Sequence, residues 1–201
     1  MKKFYNIISM VFQPLLIPTY GIAMLVSLPD FNDIILTKRV MSVIGTLLFT
    51  GIVPAIPIGI MLKRGEVHDV FISRRKERTR PYIYALLSYL LWTYFLWRVL
   101  ALPSFIVWIG IGGTAAIIII IAINFFWKIS AHLASMGALT GGVFGVSYLL
   151  AYNSVWILAG ILLLSALVTV SRLELKAHTP FQTLAGFALG FLLIFLPCLW
   201  V

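Results

Sequence analysis

The chain has 201 residues, of which 62% are hydrophobic and only 10% charged. Soluble domains are closer to half apolar and a quarter charged, so this composition excludes a soluble globular protein and points to one integral membrane domain over residues 1–201. The net charge of +9 does not indicate nucleic acid, because the basic residues cluster in short loops between apolar runs. There they set orientation, meet anionic headgroups or hold a phosphate.

A helix needs about 20 apolar residues to cross a bilayer. On that measure seven stretches are predicted to span. The first, Phe4 to Leu28, follows Met1-Lys2-Lys3 and lacks a small-residue cleavage site, so it reads as a retained span rather than a signal peptide. Gln13-Pro14 and Pro18 should kink or break it, and a re-entrant hairpin is the alternative. The second runs from Val40 to Leu62 with Pro54 and Pro57 inside it. Then come Tyr82 to Leu102, Phe105 to Trp127, Ile129 to Tyr152, Val155 to Val170 and Phe181 to Val201. Glycines recur every four positions in two of these, at Gly137, Gly141 and Gly145 and at Gly186 and Gly190. That spacing lets helix backbones approach closely, so both should be central helices. The one sizeable loop, Lys63 to Arg80, alternates apolar and charged residues and is expected to lie in the membrane interface.

If every stretch spans, parity brings the N-terminus, the Lys63 to Arg80 loop, Lys128 and the polar island Ser171 to Gln182 to one side. Twelve of the fifteen Lys and Arg residues fall there, leaving Lys38, Arg39 and Arg98 opposite, so that side is expected to be cytoplasmic. His132, His178, Arg172 and the Arg74 to Arg80 run then meet near one membrane surface, beside the N-termini of three helices. Imidazoles, guanidiniums and helix N-termini around one point suit a phosphate. The bland readings are snorkelling at helix ends for Arg172 and Lys176, and a topology signal for Arg74 to Arg80. His68, beside Asp69, reads as a solvated loop histidine. No Cys/His cluster or carboxylate pair has metal-ligand spacing, so neither a metal nor another cofactor is expected.

Three short patterns carry a family resemblance. They are Ser73 to Arg80-Pro81 with basic Arg74, Arg75, Lys76 and Arg78 inside, then Ile129-Ser130-Ala131-His132, then Ser171-Arg172, five residues, His178, three residues and Gln182. In order and side they resemble the motifs K-x6-R-P, P-S-G-H and S-R-x5-H-x3-D of the type-2 phosphatidic acid phosphatase superfamily of membrane lipid phosphatases. The resemblance covers roughly residues 63 to 190. It implies an all-α integral membrane bundle of six to seven transmembrane helices in a bacterial inner membrane, with its polar site on the cytoplasmic side. It also implies hydrolysis of a phospho- or pyrophospho-lipid through a phosphohistidine. His178 would be the nucleophile, His132 the general acid and Gln182 the partner of the nucleophilic imidazole. Arg172, Arg80, Ser130 and Ser171 would hold the phosphate, with Arg75, Arg78 or Lys76 standing in for the motif lysine. Three departures matter: Ser73 for lysine, Ala131 for glycine and Gln182 for aspartate. Glutamine can orient an imidazole but cannot offset the charge that develops on it, and Glu174 is the one acid close in sequence. The alternative is therefore a catalytically silent relative that binds a lipid phosphate or serves a membrane complex.

Overall fold

The computed structural model describes residues 1–199; Trp200 and Val201, the end of the predicted last span, lie outside the described residues. Every regular element among the described residues is helical. In chain order they are α1 (Lys2–Val11), α2 (Ile17–Leu25), α3 (Leu36–Thr46), α4 (Val53–Lys63), α5 (Thr79–Tyr94), α6 (Ser104–Asn124), α7 (Ala131–Leu150), α8 (Val155–Glu174) and α9 (Pro180–Cys198). Five continuous helical stretches are long and apolar enough to cross a membrane: Leu36–Lys63, which joins α3 to α4, and each of α6, α7, α8 and α9. The chain is an integral membrane helical bundle. The predicted span Tyr82 to Leu102 corresponds to α5 and a π-helical continuation, Phe95–Val99. It is less apolar than the five because Tyr, Ser and Thr dilute its aliphatic residues.

The prolines decide the irregularities. Residues 12–16 separate α1 from α2, and Pro18 opens α2, where its missing N–H costs nothing. The two pieces still cover distance together. The Ser9 carbonyl meets His132 at the start of α7, Gly21 lies against Leu139 in its middle, and Leu25 packs in one cluster with Val146 near its end. Between α3 and α4 a π-helical stretch, Leu47–Ile52, precedes Pro54 and Pro57. The Thr50 hydroxyl is shared between the Thr46 and Leu15 carbonyls, and Trp92 Nε1 donates to Thr46 Oγ1 at 2.9 Å. Side-chain partners thus support a segment whose ladder is interrupted.

The glycine stripes form the closest interface. A Cβ at Gly137 would sit 2.0 Å from the Phe187 carbonyl oxygen, and one at Gly190 only 1.8 Å from that of Ala134. Only hydrogen fits at that approach, so α7 and α9 are locked in register. This register sets the distance between the Ser130 end of α7 and the His178 end of α9. The loop Lys63 to Arg80 joins α4 to α5. It is irregular apart from a 3-10 turn, Arg75–Glu77, and buries Val67 while Val70 is exposed.

Candidate functional site

Three loops meet at one end of the bundle and are stitched by hydrogen bonds. The Arg75 guanidinium donates to the carbonyls of Asn124 and Phe125, at 3.3 and 2.8 Å, and Asn124 Nδ2 donates back to the Arg75 carbonyl. Arg78 Nη1 donates to the Ile129 carbonyl, Lys128 Nζ to the Ala177 carbonyl and the Ser130 N–H to the Gln182 carbonyl. The expected convergence of the Lys63 to Arg80 loop, the α6–α7 turn and the polar island is therefore observed.

Arg172 stands in the last turn of α8, which runs four residues beyond the expected Val170. Its side chain is 1% exposed, and its Nε and Nη1 have no hydrogen-bond partner. The guanidinium carbon lies 5.3 Å from the centre of the Phe71 ring, and that ring lies 6.2 Å from the His132 ring. Phe71 therefore bridges Arg172 and His132. Below the guanidinium, the Arg172 carbonyl accepts the N–H groups of Ala177 and His178. Left-handed Lys176 (φ 52°) permits this tight return. The chain thereby folds His178, four residues past the end of α8, back toward the arginine.

His178 precedes α9 and is oriented by its cap. Thr179 and Gln182 form a capping box around Pro180, in which the Thr179 N–H donates to Gln182 Oε1 at 3.2 Å. The same oxygen lies 3.0 Å from His178 Nδ1. An atom that accepts a backbone N–H is the amide oxygen, so Nδ1 carries the proton and Nε2 keeps the lone pair. Burial pushes the imidazole pKa down to about 3, helped by the charges of Arg78, Arg172 and Lys128 and opposed by the Gln182 hydrogen bond. The ring is neutral across the physiological range. Glu174 is exposed and makes no contact with it, so Gln182 alone meets Nδ1.

The remaining expected residues separate. Arg78 is 3% exposed and donates to the Ile72 and Ile129 carbonyls. Arg80, expected in the phosphate clamp, instead points outward: its side chain is 71% exposed and paired with Glu66 at 2.8 Å. The 3-10 turn Arg75–Glu77 rotates the segment, so Arg78 rather than Arg80 faces inward. Arg75 is spent on carbonyls, and Lys76 is exposed. Ser73, at the motif-lysine position, is exposed and caps the Asp69 turn. Ser130 is buried as the α7 N-cap, accepting the Leu133 N–H, and Ser171 donates to the Leu167 carbonyl. Both hydroxyls are committed to backbone. His68 is exposed and pairs with Glu77 and Arg74.

Lys128 is the residue missed in the sequence. It lines an open depression with Lys176, His178, Thr179 and Gln182, and burial, then the charges of Arg78 and Arg172, lower its pKa. Its position two residues before Ser130 was the available signal. Asp69 is the one carboxylate whose charge reaches Arg172 and Lys128, yet it is bound to the N–H groups of Phe71 and Ser73. Two buried guanidiniums and a half-buried ammonium thus face one committed acid. Burying unpaired charge is costly, and Arg172 Nε and Nη1 are the donors of this cluster left without a partner. Among the described residues no group of three His, Cys, Asp or Glu is arranged to hold a metal. Compared with family models, curated proteins and solved structures, the chain matches none.

Proposed function

We propose that the protein is a membrane-integral lipid phosphate phosphatase-like enzyme of six to seven spans, with its site at the cytoplasmic rim of a bacterial inner membrane. The observation that carries this reading is Arg172, buried with Nε and Nη1 unpartnered beside the neutral imidazole of His178. A phosphate gives that arginine the acceptor oxygens it lacks. An imidazole with its proton on Nδ1 is a nucleophile at Nε2. Attack by Nε2 on phosphorus breaks the ester P–O bond and leaves a phosphohistidine; the departing oxygen takes up a proton from water at the membrane surface. Water then cleaves the P–N bond, releasing phosphate and the free ring. Positive charge from Arg172, Arg78 and Lys128 stabilises the transferred group in both steps.

A cavity of about 170 Å³ supports a lipid rather than a free phosphate ester. It is bordered by Tyr82, Ala131 and Ser135 next to the polar cluster, and by apolar side chains of α2, α6 and α7 as far as Val146. A hydrocarbon chain suits that lining, with its phosphate at the charged end.

The test is phosphate release by purified protein in detergent from phosphatidate, phosphatidylglycerophosphate and undecaprenyl diphosphate. Release above a His178→Ala control is the expected result; release equal to that control removes hydrolysis for those lipids. The second reading, a silent phosphate-binding relative, is favoured by uncharged Gln182 at Nδ1 and by His132, whose Nε2 is tied to the Ser9 carbonyl. Orthophosphate binding without turnover selects it.

A further inference from the structure

Helix α1 lies outside the stretch that resembles the phosphatase motifs, yet it reaches the same site. It exposes Phe4, Ile7 and Met10, as a helix lying against lipid does, and the one residue it buries completely is Ser9. Ile8 packs half-buried against the core cluster of Leu133, Met136 and Val168, and Ser9 beside it is buried more deeply than any apolar side chain of the helix. The Ser9 carbonyl accepts a hydrogen bond from His132 Nε2 at 3.1 Å, and α1 packs along α8, the helix that carries Arg172.

The Ser9 hydroxyl is also unusual within this chain. Buried Thr46, Thr140, Ser165 and Ser171 each donate to the carbonyl four residues earlier, the default for a hydroxyl in an apolar helix. Ser9 Oγ does not; it is buried and without a partner, as are Nε and Nη1 of Arg172. Leaving a buried hydroxyl unpaired is unfavourable, and an acceptor oxygen of a ligand in the site removes that penalty. Unpartnered donors from α1 and α8 thus lie on either side of a pair of rings, His132 held by the Ser9 carbonyl and Phe71 beneath the Arg172 guanidinium.

We propose that α1 forms a wall of the anion site, with Ser9 Oγ donating to a phosphoryl oxygen and the Ser9 carbonyl fixing the His132 ring beside it. The inference rests on the phosphate-site reading above. It makes Ser9 a binding residue contributed by a segment that the three motifs do not reach.

The test is calorimetric titration of the full chain in detergent with orthophosphate. Ser9→Ala should weaken binding about tenfold, the effect of one hydrogen bond to a charged acceptor. Ser9→Thr, which keeps the hydroxyl, should restore it. Thr19→Ala removes the other unpartnered buried hydroxyl, on α2, and should bind as wild type does. If Ser9→Ala does not fold, Ser9→Cys, similar in size but a poor donor, should show the same loss. Wild-type affinity in the folded Ser9 variant, or an equal loss in Thr19→Ala, overturns the role of Ser9 while leaving the site intact. Absence of orthophosphate binding by wild type removes the anion site itself.

Discussion

His178 Nδ1 and Gln182 Oε1 lie 3.0 Å apart, and the Thr179 N–H shares that oxygen. The amide therefore does what a carboxylate would do for orientation, but nothing for charge. In the proposed reaction, bonding of Nε2 to phosphorus would make the ring cationic among Arg78, Arg172 and Lys128. Loss of the carboxylate from a serine-protease triad costs about 10⁴ in rate. Gln182→Glu keeps the side-chain length and the capping box, so it should restore the charge without moving the ring. Phosphate release should rise at least about tenfold, a small part of that triad effect. An unchanged rate in a folded variant would argue against His178 as the nucleophile.

The depressed pKa of His178 has a consequence for stability. In the unfolded chain the imidazole binds a proton near pH 6.5, whereas the native ring refuses it down to about pH 3. Over that interval the unfolded state holds more protons, so acid favours unfolding. The melting temperature should fall as pH drops below 6.5, and His178→Gln should flatten that slope. For the same reason kcat/KM should have no inflection near pH 6.5 from this residue. A wild-type slope identical to the variant's would contradict the buried, neutral ring.

Much of this end of the bundle was legible in the sequence because parity is robust. Seven apolar runs and a one-sided charge distribution were enough to predict that three distant polar segments meet, and Arg75, Arg78 and Lys128 now join them. The prolines likewise announced the break in the first segment. What spacing could not give was rotation. Of the two arginines expected at the site, the 3-10 turn before α5 leaves Arg78 buried and Arg80 outside. The end of α8 was also hidden, since Arg172 ends a helix rather than beginning a loop, and hydropathy cannot distinguish the two. The role of α1 was invisible for a different reason: a serine in an apolar run carries no signal until its hydroxyl is seen to lack a partner.

Arg172 gives the sharpest separation of site from scaffold. A residue retained for stability weakens the fold when replaced; a buried, unpaired charge does the reverse. Arg172→Met should leave the melting temperature unchanged or raise stability by about 1–4 kcal/mol in phosphate-free detergent. The same variant should lose the stabilisation that added phosphate gives wild type. Differential scanning fluorimetry with and without phosphate reads both effects. A strongly destabilised variant would mean that Arg172 is satisfied within the fold.

Arg80 should behave against the expectation from the motif, whereas Arg78, expected beside it at the phosphate, should not. Arg78 spans the Ile72 and Ile129 carbonyls, so Arg78→Met frees two buried acceptors and should cost about 3 kcal/mol as well as phosphate affinity. Arg80 forms an exposed pair with Glu66, and such pairs contribute at most about 1 kcal/mol. Arg80→Ala should therefore melt and bind much as wild type does. Loss of phosphate binding in Arg80→Ala with binding intact in Arg78→Met would restore the motif assignment.

The register of α7 against α9 should control the site from a distance. A methyl group at Gly190 would meet the Ala134 carbonyl oxygen at 1.8 Å and its carbon at 2.7 Å, both backbone atoms that cannot rotate aside. Gly190→Ala must then push α9 off α7, at about 3 kcal/mol. Ala134 lies two residues beyond His132, and Gly186, one turn before Gly190, faces the Ser130 carbonyl. The displacement therefore opens the gap between the His132 end of α7 and the His178 end of α9. Gly190→Ala should lose phosphate affinity together with stability although it touches no site residue. Gly160 on α8 has no atom within 4 Å of an added Cβ, so Gly160→Ala should change neither. Full phosphate affinity in Gly190→Ala would show that the two helix ends are not held in register by this contact.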